Sequence, residues 1–403
     1  MWEQIRSNQI RSAVLVIALA TLLLLIGYFL GVALLDSAVA GLAIALALWM
    51  VMSLIAFFRG DNILLALARA RKIGRDDHPR LYNVVEEMKI ASGLEHMPDI
   101  YIIDDPALNA FATGRAPERA SVAITSGLLQ KLNRDELQGV IGHEMAHIKN
   151  RDVLLMSLCV VLLGAIVILA WYATRFFFFS SASGGRRGSS RGGQAQLIIL
   201  AVAIIFMILA PIVAQLIYFA VSRRREYLAD ASSALYTRYP EGLASALEKL
   251  AASTTKLQSA NKATAPMYII NPFHKKGEAA SDLFSTHPDI WERIRILRSM
   301  AGGASYADYD SAFRKVRQGG RGIIPSSAVA SVAAVGLRAA QPEAEGIAPE
   351  PGKVERAREV SDLMWRLNDY KTITCDCGLK LKVPPDLKRA SVECPHCGRI
   401  HPI

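Results

Sequence analysis

The sequence predicts a mainly α, multi-pass helical membrane protein with a polar domain holding a small β-sheet and a cysteine-rich module at its C-terminus. Three observations carry this. Four long runs lack any charge: Ala13–Leu35, Ser37–Phe58, Val153–Thr174 and Ala195–Val221. The polar stretches between and after them show helix and strand periodicity. Four of the five cysteines fall in the last 29 residues. The composition agrees: 52% of the 403 residues are hydrophobic and 20% are charged, below the roughly 25% charged residues of an average soluble chain. A disordered chain is excluded, and an ordinary soluble enzyme is disfavoured. The cysteine distribution excludes a disulfide scaffold and suggests a local metal knot.

Each apolar run meets the about 20 residues a membrane span needs. Arg6, Arg11 and Ala38-Val39-Ala40 give the first run a superficial likeness to a signal peptide. Its apolar stretch exceeds the about 7–15 residues of a signal core, and a second run follows at once. A helical hairpin turning at Asp36 is therefore expected. With the N-terminus in the cytoplasm, 14 Lys and Arg near the span ends lie inside and 4 outside, as the positive-inside rule requires. The basic loop at 180–193 counts against a full crossing by the second pair. The net charge of +10 suits an anionic inner leaflet. No basic patch is interleaved with aromatics, so the bilayer is an expected partner and nucleic acid is not.

Between the spans, Leu81, Val84, Val85, Met88 and Ile90 fall at helical spacing, with Pro79 in a first turn. Ile100–Ile103 and Ser121–Thr125 read as short strands. Asn133-Arg134-Asp135-Glu136 reads as an N-cap with Glu at the third helical position, which starts a helix running through residue 149.

That helix contains His143-Glu144-Met145-Ala146-His147. Residues four apart share a helical face, so two imidazoles can bind one zinc ion while Glu144 holds a water beside it. The five-residue pattern is short, and two unrelated histidines on a surface helix would read the same. A catalytic zinc needs a third protein ligand. Glu226 is the candidate, directly after the fourth run, with Asp230 one turn later as an acceptor for a ligand imidazole N–H. A solvated acidic face is the alternative for that pair. Asp152 reads as a charge marking the membrane boundary. His147 lies six residues before the third run and Glu226 five after the fourth. A metal between them should sit within about 10 Å of the membrane boundary. Pro211 and Gln215 suggest a kink and a protein-facing side in the fourth run, and Cys159 reads as a small apolar residue.

With Asn109-Ala110-Phe111-Ala112-Thr113-Gly114, the zinc-binding pair, Glu226-Tyr227-Leu228-Ala229-Asp230 and Ser285-Thr286-His287-Pro288 followed by Arg293, the chain resembles the HtpX-like integral membrane zinc metalloproteases. These are relatives of the CAAX prenyl proteases. The resemblance covers about residues 1–300. It implies a gluzincin-type metalloprotease domain with a catalytic zinc on His143, His147 and Glu226. It also implies Glu144 as the catalytic residue and His287 as a stabiliser of the oxyanion. Arg293 would pair with Asp230 or steady the oxyanion, and Asn109 would bind substrate backbone beside an edge strand. The resemblance implies a cell-membrane protein, placed in the bacterial inner membrane. It would cleave membrane or misfolded protein substrates on the cytoplasmic side, in membrane protein quality control.

The expected organisation is a transmembrane hairpin over 1–58 and a metalloprotease domain over 59–302 that includes the spans 153–174 and 195–221. A linker over 303–371 with a short helix at Val354–Asn368 follows, then a zinc-ribbon-like module over 372–403. In that module Cys375, Cys377, Cys394 and Cys397 form two knuckles for one structural zinc. The first knuckle has one intervening residue where two are usual, so His396 or His401 could substitute, and a redox dithiol is the rival reading. The module is expected to recruit a protein partner, a substrate or the main domain. Two other functional readings remain at this point: a catalytically silent scaffold acting through the ribbon, and a CAAX-type prenyl protease.

Overall fold

The computed structural model describes residues 2–153, 223–258, 267–270, 288–300, 302–319, 322–325, 335–340, 351–387 and 391–403, with single positions 204, 208, 328 and 329. The third and fourth apolar runs lie outside the described residues apart from Val153, Ile204 and Ile208. So do the basic loop, Cys159, Pro211, Gln215 and His287.

Helices α1 (Trp2–Leu35) and α2 (Ala38–Leu67) form the expected hairpin. Asp36 makes the turn with φ of 51°, and the Ser37 hydroxyl caps α2 by accepting from the Ala40 N–H at 3.2 Å. Small residues let the two helices touch. A Cβ on Gly31 would lie 2.5 Å from the Gly41 Cα, and one on Gly41 would lie 2.2 Å from the Gly27 carbonyl oxygen. Among the described residues α2 alone is long and apolar enough to cross a membrane, and only 11% of its most apolar window is buried inside the protein.

The polar domain begins with β1 (Ala70–Ile73), a strand that the sequence did not signal. Helix α3 (Pro79–Ser92) buries the predicted Leu81, Val84, Val85 and Met88, while Ile90 is exposed. Then come β2 (Asp99–Ile103), β3 (Ala110–Gly114), β4 (Ala120–Thr125), α4 (Ser126–Lys131) and α5 (Arg134–Lys149). The strand order is β1-β2-β4-β3, with β2 and β4 parallel and both outer pairs antiparallel, so β3 is an edge strand. Helix α5 starts at the predicted capping box of Asn133 and Glu136.

Every residue of α5 from Glu136 to Ile148 is buried, which removes the surface-helix reading of its histidines. Helix α6 covers 223–237, and α7 (Pro240–Ala252) crosses α5 closely: a Cβ on Gly139 would lie 2.6 Å from the Leu243 nitrogen. Helix α8 (Ile290–Arg298) packs alongside, with Ile294, Ile296 and Leu297 in the core.

The helix expected at Val354–Asn368 is present, and the linker expectation for the residues before it needs correction. Helix α9 (Tyr306–Val316) and helix α10 (Lys353–Leu367) both dock on the core of this domain. Tyr306, Tyr309 and Phe313 recur every three or four residues and are buried behind a Ser305/Asp308 capping box. The surrounding small and polar residues obscure that short period in the sequence. Val360 and Leu363 of α10 are fully buried in the same core, and the Arg366 guanidinium donates to the Asp77 carbonyl at 2.8 Å. The C-terminal module consists of two hairpins, β5 (Lys371–Thr374) with β6 (Lys380–Val383) and β7 (Ser391–Glu393) with β8 (Ile400–Pro402).

Candidate metal centre

Helix geometry brings His143 and His147 to one face of α5, and α6 brings Glu226 opposite them. The Nε2 atoms of the two histidines are 3.2 Å apart. Glu226 closes the triangle, with Oε2 3.6 Å from His143 Nε2 and Oε1 3.5 Å from His147 Nε2. All three side chains are buried. Each Nδ1 atom faces a buried carboxylate: His143 stands 3.0 Å from Asp230 Oδ1, and His147 stands 3.3 Å from Asp152 Oδ2.

The donor set fits a metal cation. A carboxylate only accepts, so each neutral imidazole keeps its proton on Nδ1 and turns an Nε2 lone pair inward. With both imidazoles neutral, as metal binding requires, two lone pairs and a carboxylate converge with no proton between them. Two bonds of about 2.0–2.1 Å at a tetrahedral angle span about 3.3 Å, close to the edges of this triangle. The electrostatics point the same way. Burial alone would push both histidines down, but Asp230 and Glu226 raise His143 above its usual value. Asp152 and Glu226 likewise lift His147 to about 10. The pocket draws positive charge.

Arg293 tightens the second side. Burial opposes charge on Asp230, yet Arg293 and His143 hold its carboxyl below the usual range. The Arg293 guanidinium donates to both Asp230 oxygens at 2.8 and 2.7 Å, and its Nη1 lies 3.4 Å from Glu226 Oε2. Of the two roles expected for Arg293, the structure shows the pairing with Asp230.

Glu144 sits between the histidines, buried, and its carboxylate accepts from the backbone N–H of Ala112 on β3. Burial raises its pKa, while the two histidines pull against that rise.

Asn109 lies where β3 begins, but its amide serves the protein's own backbone. Its Nδ2 donates to the Ile270 carbonyl at 3.0 Å, and the Ile269 N–H donates to the Ala110 carbonyl. Tyr268 packs edge-on against Phe111. A buried amide must be hydrogen-bonded, and the contact expected for substrate is here made by residues 268–270.

Asp152 is the residue that the sequence reading missed. Taken as a boundary charge, it is fully buried against His147 and against Arg225, whose Nε is 3.5 Å from Oδ1. Its position five after His147 held a signal: a carboxylate just past a helix end can fold back on the last turn.

The four C-terminal cysteines converge as well. Cys375 and Cys397 Sγ atoms are 3.4 Å apart, and those of Cys377 and Cys394 are 3.7 Å apart. The short first knuckle closes because Gly378 takes φ of 86° and its N–H donates to the Cys375 carbonyl. Gly398, at φ of 72°, does the same for Cys394. The cluster that could hold a metal contains the four sulfurs and neither His396 nor His401.

Two imidazoles one helical turn apart, a glutamate between them and a carboxylate from a second helix define a metal-dependent peptidase centre. Comparison with known proteins agrees. Residues 75–301 match the model of peptidase family M48. A protease HtpX homolog of Dictyoglomus turgidum is 44% identical over 299 residues, which span 74% of this chain and 94% of that protein. One from Streptococcus uberis is 41% identical over 300 residues, spanning 74% of this chain and all of its own. A crystal structure of S. mikatae Ste24p aligns with 74% of this chain and 67% of its own at 19% identity and a TM-score of 0.39. The chain belongs to peptidase family M48 and is a metalloprotease.

Proposed function

We propose that the protein is a multi-pass membrane zinc endopeptidase that cuts membrane or misfolded proteins at the cytoplasmic surface, in membrane protein quality control. The observation that carries this reading is the acceptor-only triangle of His143, His147 and Glu226 with Glu144 beside it, in a chain with a long exposed apolar helix. The four apolar runs and the Lys/Arg asymmetry support the topology and the cytoplasmic orientation.

His143, His147 and Glu226 would hold the zinc, and Asp230 and Asp152 would orient the two imidazoles. Bound zinc supplies Lewis acidity, polarising a carbonyl and acidifying a water. Glu144 takes the proton of the attacking water and returns it to the leaving amine nitrogen. His287 is proposed to donate to the oxyanion. The four cysteines hold a second, structural zinc in the 372–403 module, which would recruit a substrate or partner.

The test is cleavage of an unassembled, tagged membrane protein in inverted vesicles. Wild-type protein should shorten it, and Glu144→Gln should bind it uncut. Undiminished cleavage by Glu144→Gln would sink the proposal.

A further inference from the structure

The metal centre has two carboxylate–arginine pairs, and the described mechanism uses one of them in full. Asp230 orients His143, and Arg293 spans Asp230 and Glu226. The other pair is Asp152 with Arg225. Asp152 Oδ2 faces His147 Nδ1 at 3.3 Å, while Oδ1 faces Arg225 Nε at 3.5 Å. Arg225 is the residue immediately before Glu226, and both Arg225 and Asp152 are buried. Each ligand histidine thus has its own carboxylate, and each carboxylate has its own arginine beside Glu226.

The backbone is shaped to deliver this contact. Helix α5 ends at Lys149, and Arg151 takes φ of 58°. A left-handed residue past a helix end is a common way to close a helix, and Arg69, Arg238, Gln318 and Asp369 do the same. Here the turn it makes leaves Asp152 against His147 in the last turn of α5. Burying a carboxylate is costly unless partners compensate, and Asp152 faces His147, a candidate metal ligand, and Arg225, the neighbour of another. Asp152 and Arg225 also bracket the stretch containing the apolar runs 153–174 and 195–221.

We propose that Asp152 and Arg225 are a positioning pair: Asp152 fixes the ring of His147, and through Arg225 it holds α6 so that Glu226 meets both histidines. The pair ties the two ends of the apolar excursion to the metal centre. This inference rests on the metalloprotease reading and deepens it.

The test uses full-length, zinc-loaded protein in detergent and follows zinc release to a chromogenic chelator. A Cys394→Ala background silences the ribbon. Asp152→Ala should weaken zinc binding 10- to 100-fold, the usual cost of losing an outer partner of a metal ligand. Arg225→Gln should weaken it less, and the double variant no more than Asp152→Ala alone, because the two act as one unit. Asp152→Asn keeps an acceptor and should recover part of the loss. The visible spectrum of the cobalt-substituted protein should change in Asp152→Ala and stay constant in Arg298→Gln, which breaks an ion pair remote from the centre. Should Asp152→Ala not accumulate, Arg225→Gln and Asp152→Asn decide the matter: zinc release and cobalt spectra matching wild type in both overturn the proposal. Glu226→Gln separates the two levels. If it releases zinc while Asp152→Ala holds it as wild type does, only the positioning pair fails. If Glu226→Gln also holds it, the metal centre itself is misassigned.

Discussion

The two candidate metal clusters are built in opposite ways. The His143/His147/Glu226 cluster draws ligands from two helices separated by the apolar excursion, and all three are buried. Asp152, Asp230 and Arg293 surround it, inside a core that includes the sheet and α3, α5, α7 and α8. The cysteine cluster is local. Its ligands span 375–397, two of the four are exposed, and its buried apolar neighbours are few: Leu381, with Ile373 and Val392 partly buried. In the first case the fold would hold a metal. In the second a metal would hold the fold, because so small a module has too little core to offset chain entropy.

Metal removal should therefore split the molecule, and this is the largest effect expected. Stripping zinc should abolish amide exchange protection across β5–β8 while α5 and the β1–β4 sheet keep theirs. Structural zinc in such small modules supplies on the order of 10 kcal/mol or more of folding free energy. Loss of protection in both regions at once would break the comparison. Next in size is Glu144→Gln, which should lower peptide cleavage by about 10²–10⁴-fold with the zinc count unchanged, measured by turnover and metal analysis on the same sample. That separates chemistry from metal holding in the one cluster that does both.

The convergence of these side chains was legible because their spacing is fixed by helix geometry: four residues from His143 to His147, and four from Glu226 to Asp230, put each pair on one face. The capping box of Asn133 and Glu136 and the Asp36 turn were legible for the same reason, as local hydrogen-bonding and backbone rules. Asp152 was not. Its role depends on a left-handed Arg151 and on Arg225 arriving from across the excursion, and neither is a local pattern. Helix α9 was hidden by its small and polar context, since Tyr306, Tyr309 and Phe313 gain meaning only against the core that they fill. The edge position of β3 follows from long-range pairing, which no four-residue run announces.

The imidazoles sharpen the contrast between supported and unsupported burial. His147 is lifted by carboxylates to about 10. His78 is also buried and caps α3 by accepting the Leu81 N–H on Nδ1, but its Nε2 has no partner among the described residues. Burial, and then the charges of Arg80 and Arg366, push it down to about 4. The unfolded chain then binds a proton that the folded chain refuses between about pH 6.5 and pH 4. The stability from His78 is full above that window and is lost as pH falls through it. Wild-type protein should lose about 2 kcal/mol between pH 7 and pH 5 relative to His78→Asn, which keeps a capping acceptor. Equal urea midpoints for the two proteins at both pH values would count against the assignment.

The smallest effect tests how far the supported layer around the first cluster extends. Arg317 follows α9, beyond the stretch matched by the family model. It donates through Nε to Glu292 at 2.7 Å, and the Tyr227 hydroxyl donates to the same carboxylate at 2.6 Å. Tyr227 adjoins the ligand Glu226, and Glu292 adjoins Arg293. The arrangement looks like an outer repeat of the Arg293 clamp, but the setting differs. Arg293 is 1% exposed, whereas the Arg317 side chain is 50% exposed. Water screens the outer pair, so its loss should cost only about 0.5–1 kcal/mol. Arg317→Gln should lower the denaturation midpoint slightly and leave zinc release within about fivefold of wild type, since about 1 kcal/mol is that factor. A tenfold faster release would mean that the C-terminal extension belongs to the metal centre, and the boundary between the two clusters would then have to be drawn beyond α9.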